Sequence, residues 1–296
     1  MLKLARGVLA HDISKEQMFM LHAFLIVVFS DIPAISMLMR MKGHNGILPC
    51  RMCKILAIRN PSEKVHYVPH NRTGFPATMG TADLRESFDP ANLPLQTHQE
   101  FMKLAAEVEA AQTQPTKAER LAKACGIKGL PCLAVLDSLS FPLSFPYDFM
   151  HLIWENVLKN LVLLWTGEFK GLDSGKEDYQ FSKEVWKAIG KATAESGAYI
   201  PSAYGSRVPD IANEKSNVSA EMWSFWTLYL GPVLLRRQFR DEKYFDHFVQ
   251  LVRLLHICLQ FEITREKIQE LRTGFIKWVK TYEEYESPDS EAYDIN

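Results

Sequence analysis

Between Ala23 and Phe29 the chain is apolar without interruption, and Ser30-Asp31-Ile32-Pro33 ends the run abruptly. So short a stretch, rich in bulky aliphatic and aromatic side chains, suits a strand buried on both faces, although periodicity does not separate it from a buried helical segment. It is also far below the roughly 20 residues that a helix needs to span a bilayer. A buried strand must hydrogen-bond to neighbours, so the expectation is a partial sheet at the N-terminal end. Asp31 then falls at the strand's end, on a rim where a carboxylate can grip a divalent ion. Pro33 turns the chain away, and Cys50 and Cys53 follow with the two-residue spacing of half a zinc site.

A net charge of −1 gives no global positive field, so any nucleic-acid surface has to be local. The window 40–72 offers one: Arg40, Lys42, Arg51, Lys54, Arg59, Lys64 and Arg72 face only Glu63, with His44, His66 and His70 between them. Arg236, Arg237 and Arg240 form a second basic group. Five cysteines, an odd number, do not read as a disulfide framework and fit a reducing intracellular setting. No signal peptide precedes the apolar run. A chain of 296 residues can bury one large core or two smaller ones.

Most of the remaining pattern is helical. Leu2, Leu4, Ala5, Val8 and Leu9 suggest a short amphipathic helix, and Ser14 to Gln17 a capped start leading into the apolar run. Residues 60–100 read as an irregular connection, followed by helices over Gln99–Gln112 and Lys117–Cys125, the second ended by Gly126. Pro131, Pro142 and Pro146 keep 126–147 extended or looped. Asp148–Trp165 places Phe149, Leu152, Ile153, Val157, Leu161 and Leu164 on one helical face. Further helices are expected near 181–195, 219–238, 243–260 and Thr264–Glu284, before an acidic tail over 283–294 that reads as disordered. The division is 1–58 for a partial α/β core, 59–147 for a connection with short helices, 148–285 for a helical domain, and 286–296 for the tail. The fold class is mainly α.

Three ordered blocks carry a resemblance: SDIPAISMLMRMKGHNGILPCRMC at 30–53, YDFMHLIWENVLKNLVLLWTGEFKGLD at 147–173 and AEMWSFWTLYLGPVLL at 220–235. They resemble the CACTA-type (En/Spm-like) cut-and-paste DNA transposases, in the form found in mushroom-forming fungi, over nearly the whole chain. The resemblance implies a DDE, RNase H-like nuclease core with a helical insertion domain, acting in the nucleus on the ends of a transposon and as a multimer. It implies that three carboxylates hold two Mg²⁺ ions that stabilise the attacking and leaving oxygens of a phosphodiester. Asp31 would be the second of those acids. Cys50 and Cys53 would be half of a zinc site completed by a His pair. The resemblance places the first Asp before this segment, and the His pair and final Glu after it. The chain is therefore expected to be an internal piece of a transposase, without strand transfer of its own.

Each feature also has a plainer reading. A strand-end Asp before Pro is often a turn residue, and two cysteines at this spacing can be structural thiols. His44, His66 and His70 could serve as ligands, but surface histidine is the default. Cys125 and Cys132 read as buried thiols. Asp148, His151 and Glu155 would share a helix face, with Asn156 beside them, and could hold a metal or orient a partner. The blander reading has Asp148 capping the helix and a buried, hydrogen-bonded His151. Trp154, Trp165, Trp223, Phe225, Trp226 and Tyr229 read as core. Arg40, Lys42, Arg51, Lys54, Arg236 and Arg237 are the candidate phosphate contacts, against the plain alternative of a solvated charged face. No small-molecule cofactor and no membrane is expected. Two other functions compete: a non-catalytic helical DNA- or protein-binding module derived from a transposon, and an unrelated zinc hydrolase, which needs three ligands around an open metal position.

Overall fold

The computed structural model describes residues 1–59, 66–72, 87–169 and 177–286. Glu63, Lys64, Gly171, Gly175 and the acidic tail beyond Glu286 lie outside the described residues. The fold is mainly helical, with two small two-stranded antiparallel sheets. The chain divides into two compact units, one built on 1–69 and 92–148, the other on Phe149 onward together with the short segments around His70 and Ala91.

In the first unit, α1 (Leu2–Arg6) stops at Gly7, whose φ of 98° is costly for any residue with a Cβ, and β1 (Val8–Asp12) follows at once. The expected helix through Leu9 is thus cut short, because Val8 and Leu9 pair with β2 (Gln17–Leu21) in the register Val8–Leu21, Leu9–Met20 and Ala10–Phe19. The expected helix start at Ser14 is instead a hairpin turn. Asp12 Oδ1 accepts from the Ser14 backbone N–H (2.9 Å), the Ser14 hydroxyl (2.7 Å) and the Lys15 N–H (3.3 Å), the usual way an Asp closes a turn.

The buried strand at Phe24–Phe29 does not form. The hairpin ends at Leu21, and 22–31 runs outside any sheet. Leu25 and Val28 lean on the core, tied by Ser138 Oγ to Leu25 O (2.7 Å) and Val28 N to Ser144 O (2.8 Å), whereas Phe24, Ile26, Val27 and Phe29 are exposed. An apolar run becomes a central strand only when neighbours on both edges take its backbone groups, and no strand among the described residues does so here. The RNase H-like sheet expected around this run is accordingly not among the described elements.

The core of this unit is built by α2 (Ile32–Leu38), α3 (His98–Ala110) and α4 (Pro115–Cys125). Ile35, Met39, Phe101, Ile127, Phe141 and Phe145 are packed within it, with Phe101 and Phe145 flanking the Phe141 ring at 5.0 and 4.7 Å between centroids. Thr97 and Glu100 form a reciprocal capping box on α3. Gly126 closes α4 at φ 73°, the left-handed conformation that glycine adopts freely. A second two-residue pairing joins β3 (Ile58–Arg59) to β4 (His66–Tyr67).

The second unit begins with a π-helical segment, Met150–Val157, that runs into α5 (Leu158–Trp165). After α6 (Lys183–Ser196), a second composite helix joins α7 (Ala220–Phe225), a π segment over Trp226–Leu230 and α8 (Gly231–Leu234). The hairpin of α9 (Glu242–Cys258) and α10 (Arg265–Glu286) completes it. Aromatic rings fill the centre: Trp165 meets Phe239 and Phe248 edge-on at 5.6 and 5.5 Å, and Trp223 meets Trp226 edge-on at 5.9 Å. The buried indole of Trp226 donates to Thr193 Oγ1 (3.0 Å), and Thr193 in turn donates to Ile189 O (2.9 Å), so the polar groups are satisfied in series. His247 and Trp278 clamp α9 to α10 by stacking at 4.6 Å and by two reciprocal hydrogen bonds to each other's backbone carbonyls.

Candidate metal site at Cys50 and Cys53

The turn Cys50-Arg51-Met52-Cys53 lies against the extended stretch at 94–96: Lys54 N–H donates to Pro94 O (2.8 Å) and Gln96 N–H to Met52 O (2.9 Å). With both flanks anchored, the backbone folds over the first sulfur. Cys50 Sγ accepts from the N–H of Met52 (3.3 Å) and of Cys53 (3.2 Å), and the Tyr147 hydroxyl stands 3.5 Å away. Arg51 is buried and points inward, donating from Nε to Phe145 O (2.7 Å) and from Nη2 to Pro146 O (2.8 Å). Its guanidinium lies 3.8 Å from the centre of the Tyr147 ring. The pair Arg51–Tyr147 therefore pins the Cys-x-x-Cys turn to the loop that follows Phe145.

This geometry sorts the two thiols. A hydrogen bond from the Cys53 thiol, helped by the Tyr147 hydroxyl and the two backbone amides and opposed by burial, pulls the Cys50 thiol down to about 5. The same bond, together with burial, pushes the Cys53 thiol up. The shared bond thus favours the thiolate at Cys50 and the thiol at Cys53. Burial pushes the Tyr147 hydroxyl up and pulls the Arg51 guanidinium down, while the nearby Cys50 charge works the other way on Arg51.

Two sulfurs with amide donors aimed at one of them suit a soft cation, because the N–H groups stabilise thiolate charge. They supply half of a tetrahedral set. Among the described residues no group of three His, Cys, Asp or Glu side chains converges. His44 is exposed on the 3₁₀ turn Gly43–Asn45, and His70 belongs to the second unit. Zinc would be held by Cys50 and Cys53, with the remaining positions filled from elsewhere.

Asp31 does not reach this turn. It is the N-cap of α2, its Oδ1 accepting from Ala34 N–H (2.6 Å), ahead of Pro33 in the helix's first turn. The strand end on which its metal-binding role was premised is absent, and its carboxylate has a structural partner.

Four of the six candidate phosphate contacts are engaged within the first unit. Arg40 pairs with Glu109 (2.8 Å), Lys42 with Glu119 (2.5 Å) and Lys54 with Glu100 (2.8 Å), while Arg51 serves the Tyr147 loop. The acids come from α3 and α4, sequence-distant elements that a local count of charges over 40–72 does not include. Arg236 and Arg237 are exposed, with no ion pair among the described residues, whereas Arg240 pairs with Asp178 (3.5 Å).

The block at Asp148–Asn156 is not a shared α-helical face. Asp148 immediately precedes the helix, Phe149 already has helical dihedrals, and the turns over His151, Glu155 and Asn156 are π-helical, which narrows the angular step on which the face was counted. Glu155 pairs with Lys159, and Asn156 donates to His151 O. Trp154, Trp165, Trp223 and Trp226 are core as expected, but Tyr229 is half-exposed. Cys125 is half-buried and Cys132 exposed, not the buried thiols expected.

The residues missing from the sequence reading are Tyr147 and the carbonyls of Phe145 and Pro146. Nothing in their spacing links them to Cys50. The available signal was Pro146, which stops a helix there and leaves carbonyls free to receive a guanidinium. No protein-family model, curated protein or solved structure matches this chain.

Proposed function

We propose that the chain is a piece of a CACTA-type cut-and-paste transposase, with the Cys50–Cys53 turn holding half of a zinc site and the helical unit serving as the insertion domain of an RNase H-like nuclease. The observation that carries the proposal is the turn itself: two cysteines at metal-ligand spacing, with two backbone N–H donors and a tyrosine hydroxyl around one sulfur. Structural thiols need no such charge stabilisation. The ordered blocks at 30–53, 147–173 and 220–235 support the family assignment.

Bound zinc would neutralise the thiolate charge and tie the turn to its further ligands. The chain's own residues set the turn's shape: Arg51 holds it against Tyr147, and the Cys53 thiol, with the amides of Met52 and Cys53, favours the thiolate form of Cys50. Asp31 is occupied as a helix cap, and among the described residues no three His, Cys, Asp or Glu side chains converge, so the chain is proposed to lack phosphodiester cleavage by itself. Duplex DNA at transposon ends is its proposed partner and the nucleus its proposed location. Exposed Arg236 and Arg237 would supply backbone contacts.

Elemental analysis and zinc titration of the purified chain test the metal. Stoichiometric zinc lost in both Cys50→Ser and Cys53→Ser is the expected result, and zinc-free protein with an unchanged affinity in those variants would defeat it. Mg²⁺- or Mn²⁺-dependent cleavage of end-labelled duplex, abolished by Asp31→Ala, would overturn the claim of inactivity.

A further inference from the structure

Past the end of α6 the chain folds back and leaves a cleft of about 430 Å³, counting the space open to solvent, within the size range of small-ligand sites. Most of its wall is one loop. Tyr199 N–H returns to Ser196 O (3.0 Å), a 3₁₀ turn spans Ser202–Tyr204, and Gly205 reverses the chain at φ 108°, a conformation costly for any residue with a Cβ. The reversal carries Ser206 and Arg207 back across the end of α6. There Gly197 is buried, and a Cβ on it would stand 3.3 Å from both Cγ and Cδ of Arg207. The bare glycine thus gives the arginine stem a surface to lie on, which holds the guanidinium at the cleft.

The lining selects a ligand. Among the described residues Arg207 is the only charged side chain that lines the cleft, and no carboxylate pairs with it. A guanidinium fork takes two oxygens of an oxyanion at once. Ser202 and Ser206, whose hydroxyls bond to no other described residue, can donate to a third oxygen. A carboxylate has no third oxygen, so the donor set favours phosphate. The remaining lining is apolar: the exposed Tyr204 ring leans on Phe225 at 6.4 Å, and Phe225 meets Tyr229 at 5.3 Å, a run of rings on which a planar base can stack. Glu221 Oε1 lies 2.7 Å from the place a Cβ on Gly205 would take. That carboxylate can accept from a sugar hydroxyl or a base amino group, and it repels a longer chain of phosphates.

We infer that this cleft binds a nucleoside monophosphate, its phosphate held by Arg207, Ser202 and Ser206 and its base laid on Tyr204 and Phe225. The same chemistry is offered by a free nucleotide and by the 5′-phosphorylated end of a single strand. The inference does not rest on the transposase reading or on the Cys50–Cys53 turn, since every residue in it belongs to the helical unit.

Isothermal titration calorimetry of the full chain with adenosine monophosphate tests it, with inorganic phosphate, adenosine and adenosine triphosphate as comparisons. The monophosphate should saturate a single site and bind about tenfold or more tighter than phosphate or adenosine, and also tighter than the triphosphate. Arg207→Gln should weaken the monophosphate by about tenfold or more and leave adenosine unchanged. Tyr204→Leu should weaken the monophosphate and leave inorganic phosphate unchanged. Lys187→Gln, at an exposed lysine more than two turns back along α6, should change neither. Circular dichroism checks the fold, and Arg207→Lys, which keeps the charge without the fork, replaces the first variant if the helices are lost. A short 5′-phosphorylated oligothymidine that binds tighter than the free nucleotide and than its unphosphorylated form assigns the site to a strand end; one that binds no tighter than the free nucleotide assigns it to the latter. Adenosine monophosphate that does not saturate, binds no tighter than inorganic phosphate, or is indifferent to Arg207→Gln would overturn the inference.

Discussion

The two units solve the same problem with different means. Among the described residues the helical unit surrounds a centre of tryptophan and phenylalanine with five helices or composite helices, and the polar atoms of Trp226 and Thr193 are answered inside it. The first unit encloses a smaller cluster around Phe101, Phe141 and Phe145, and spends much of its apolar sequence, from Val8 to Phe29, where little of it is buried. Its order depends more on directed polar links: Asp31 to Ala34, Arg40 to Glu109, and Arg51 to the carbonyls of 145 and 146. Where periodic helices exist, burial is enough to organise a core. Where loops must be held, each needs a hydrogen-bonded anchor, because its backbone groups have no ladder to join.

The sharpest test of this contrast is Trp226→Ala, which removes a fully buried ring and the indole N–H that Thr193 Oγ1 accepts. Denaturant unfolding followed by far-ultraviolet circular dichroism should show a loss of about 3–5 kcal/mol. A loss under half of that would mean the helical core is loosely packed. In the first unit the comparison is internal: Phe145→Ala should cost about 3 kcal/mol, whereas Met20→Ala should stay within about 0.5 kcal/mol, read from hydrogen exchange of the α2 and α3 amides. Equal costs at the two positions would show that the hairpin is buried after all.

A pH titration separates the units further. Burial pulls the His247 imidazole below its ordinary value of 6.5, so the folded unit binds its proton less readily than the unfolded chain does. The contribution of His247 is therefore complete above roughly pH 6.5 and declines as pH falls through that value toward the folded pKa. Stability measured between pH 7.5 and about 5 should fall, and His247→Gln should flatten the slope; an unchanged slope in the variant would assign the effect to other groups. The smallest expected effect is at Arg237, which holds a φ of 60°. Arg237→Gly should relieve that conformation and stabilise by under about 1 kcal/mol, visible as a small rise in the thermal midpoint.

What the sequence determined by itself is the helices. Ser182, Ser219 and Asp241 cap their helices as local chemistry requires, Gly126 ends α4, and the apolar stripes of 148–165 and 243–260 find a common core. A helix satisfies its own backbone, so its existence can be read from a window of a dozen residues. Tertiary structure decided the rest. The same apolar letters at 24–29 could be strand or strap, and the outcome turned on whether neighbours offered hydrogen bonds, which no window shows. The basic run at 40–54 became a set of ion pairs only because α3 and α4 brought Glu100, Glu109 and Glu119 to it. Cys50 is drawn toward the thiolate first by Cys53 and then by Tyr147, and the turn that brings the two sulfurs together is held by Pro94 and Gln96, contacts remote in sequence. Local order follows from hydrogen bonds within a segment, whereas the state of a thiol or a carboxylate follows from what a folded chain places beside it.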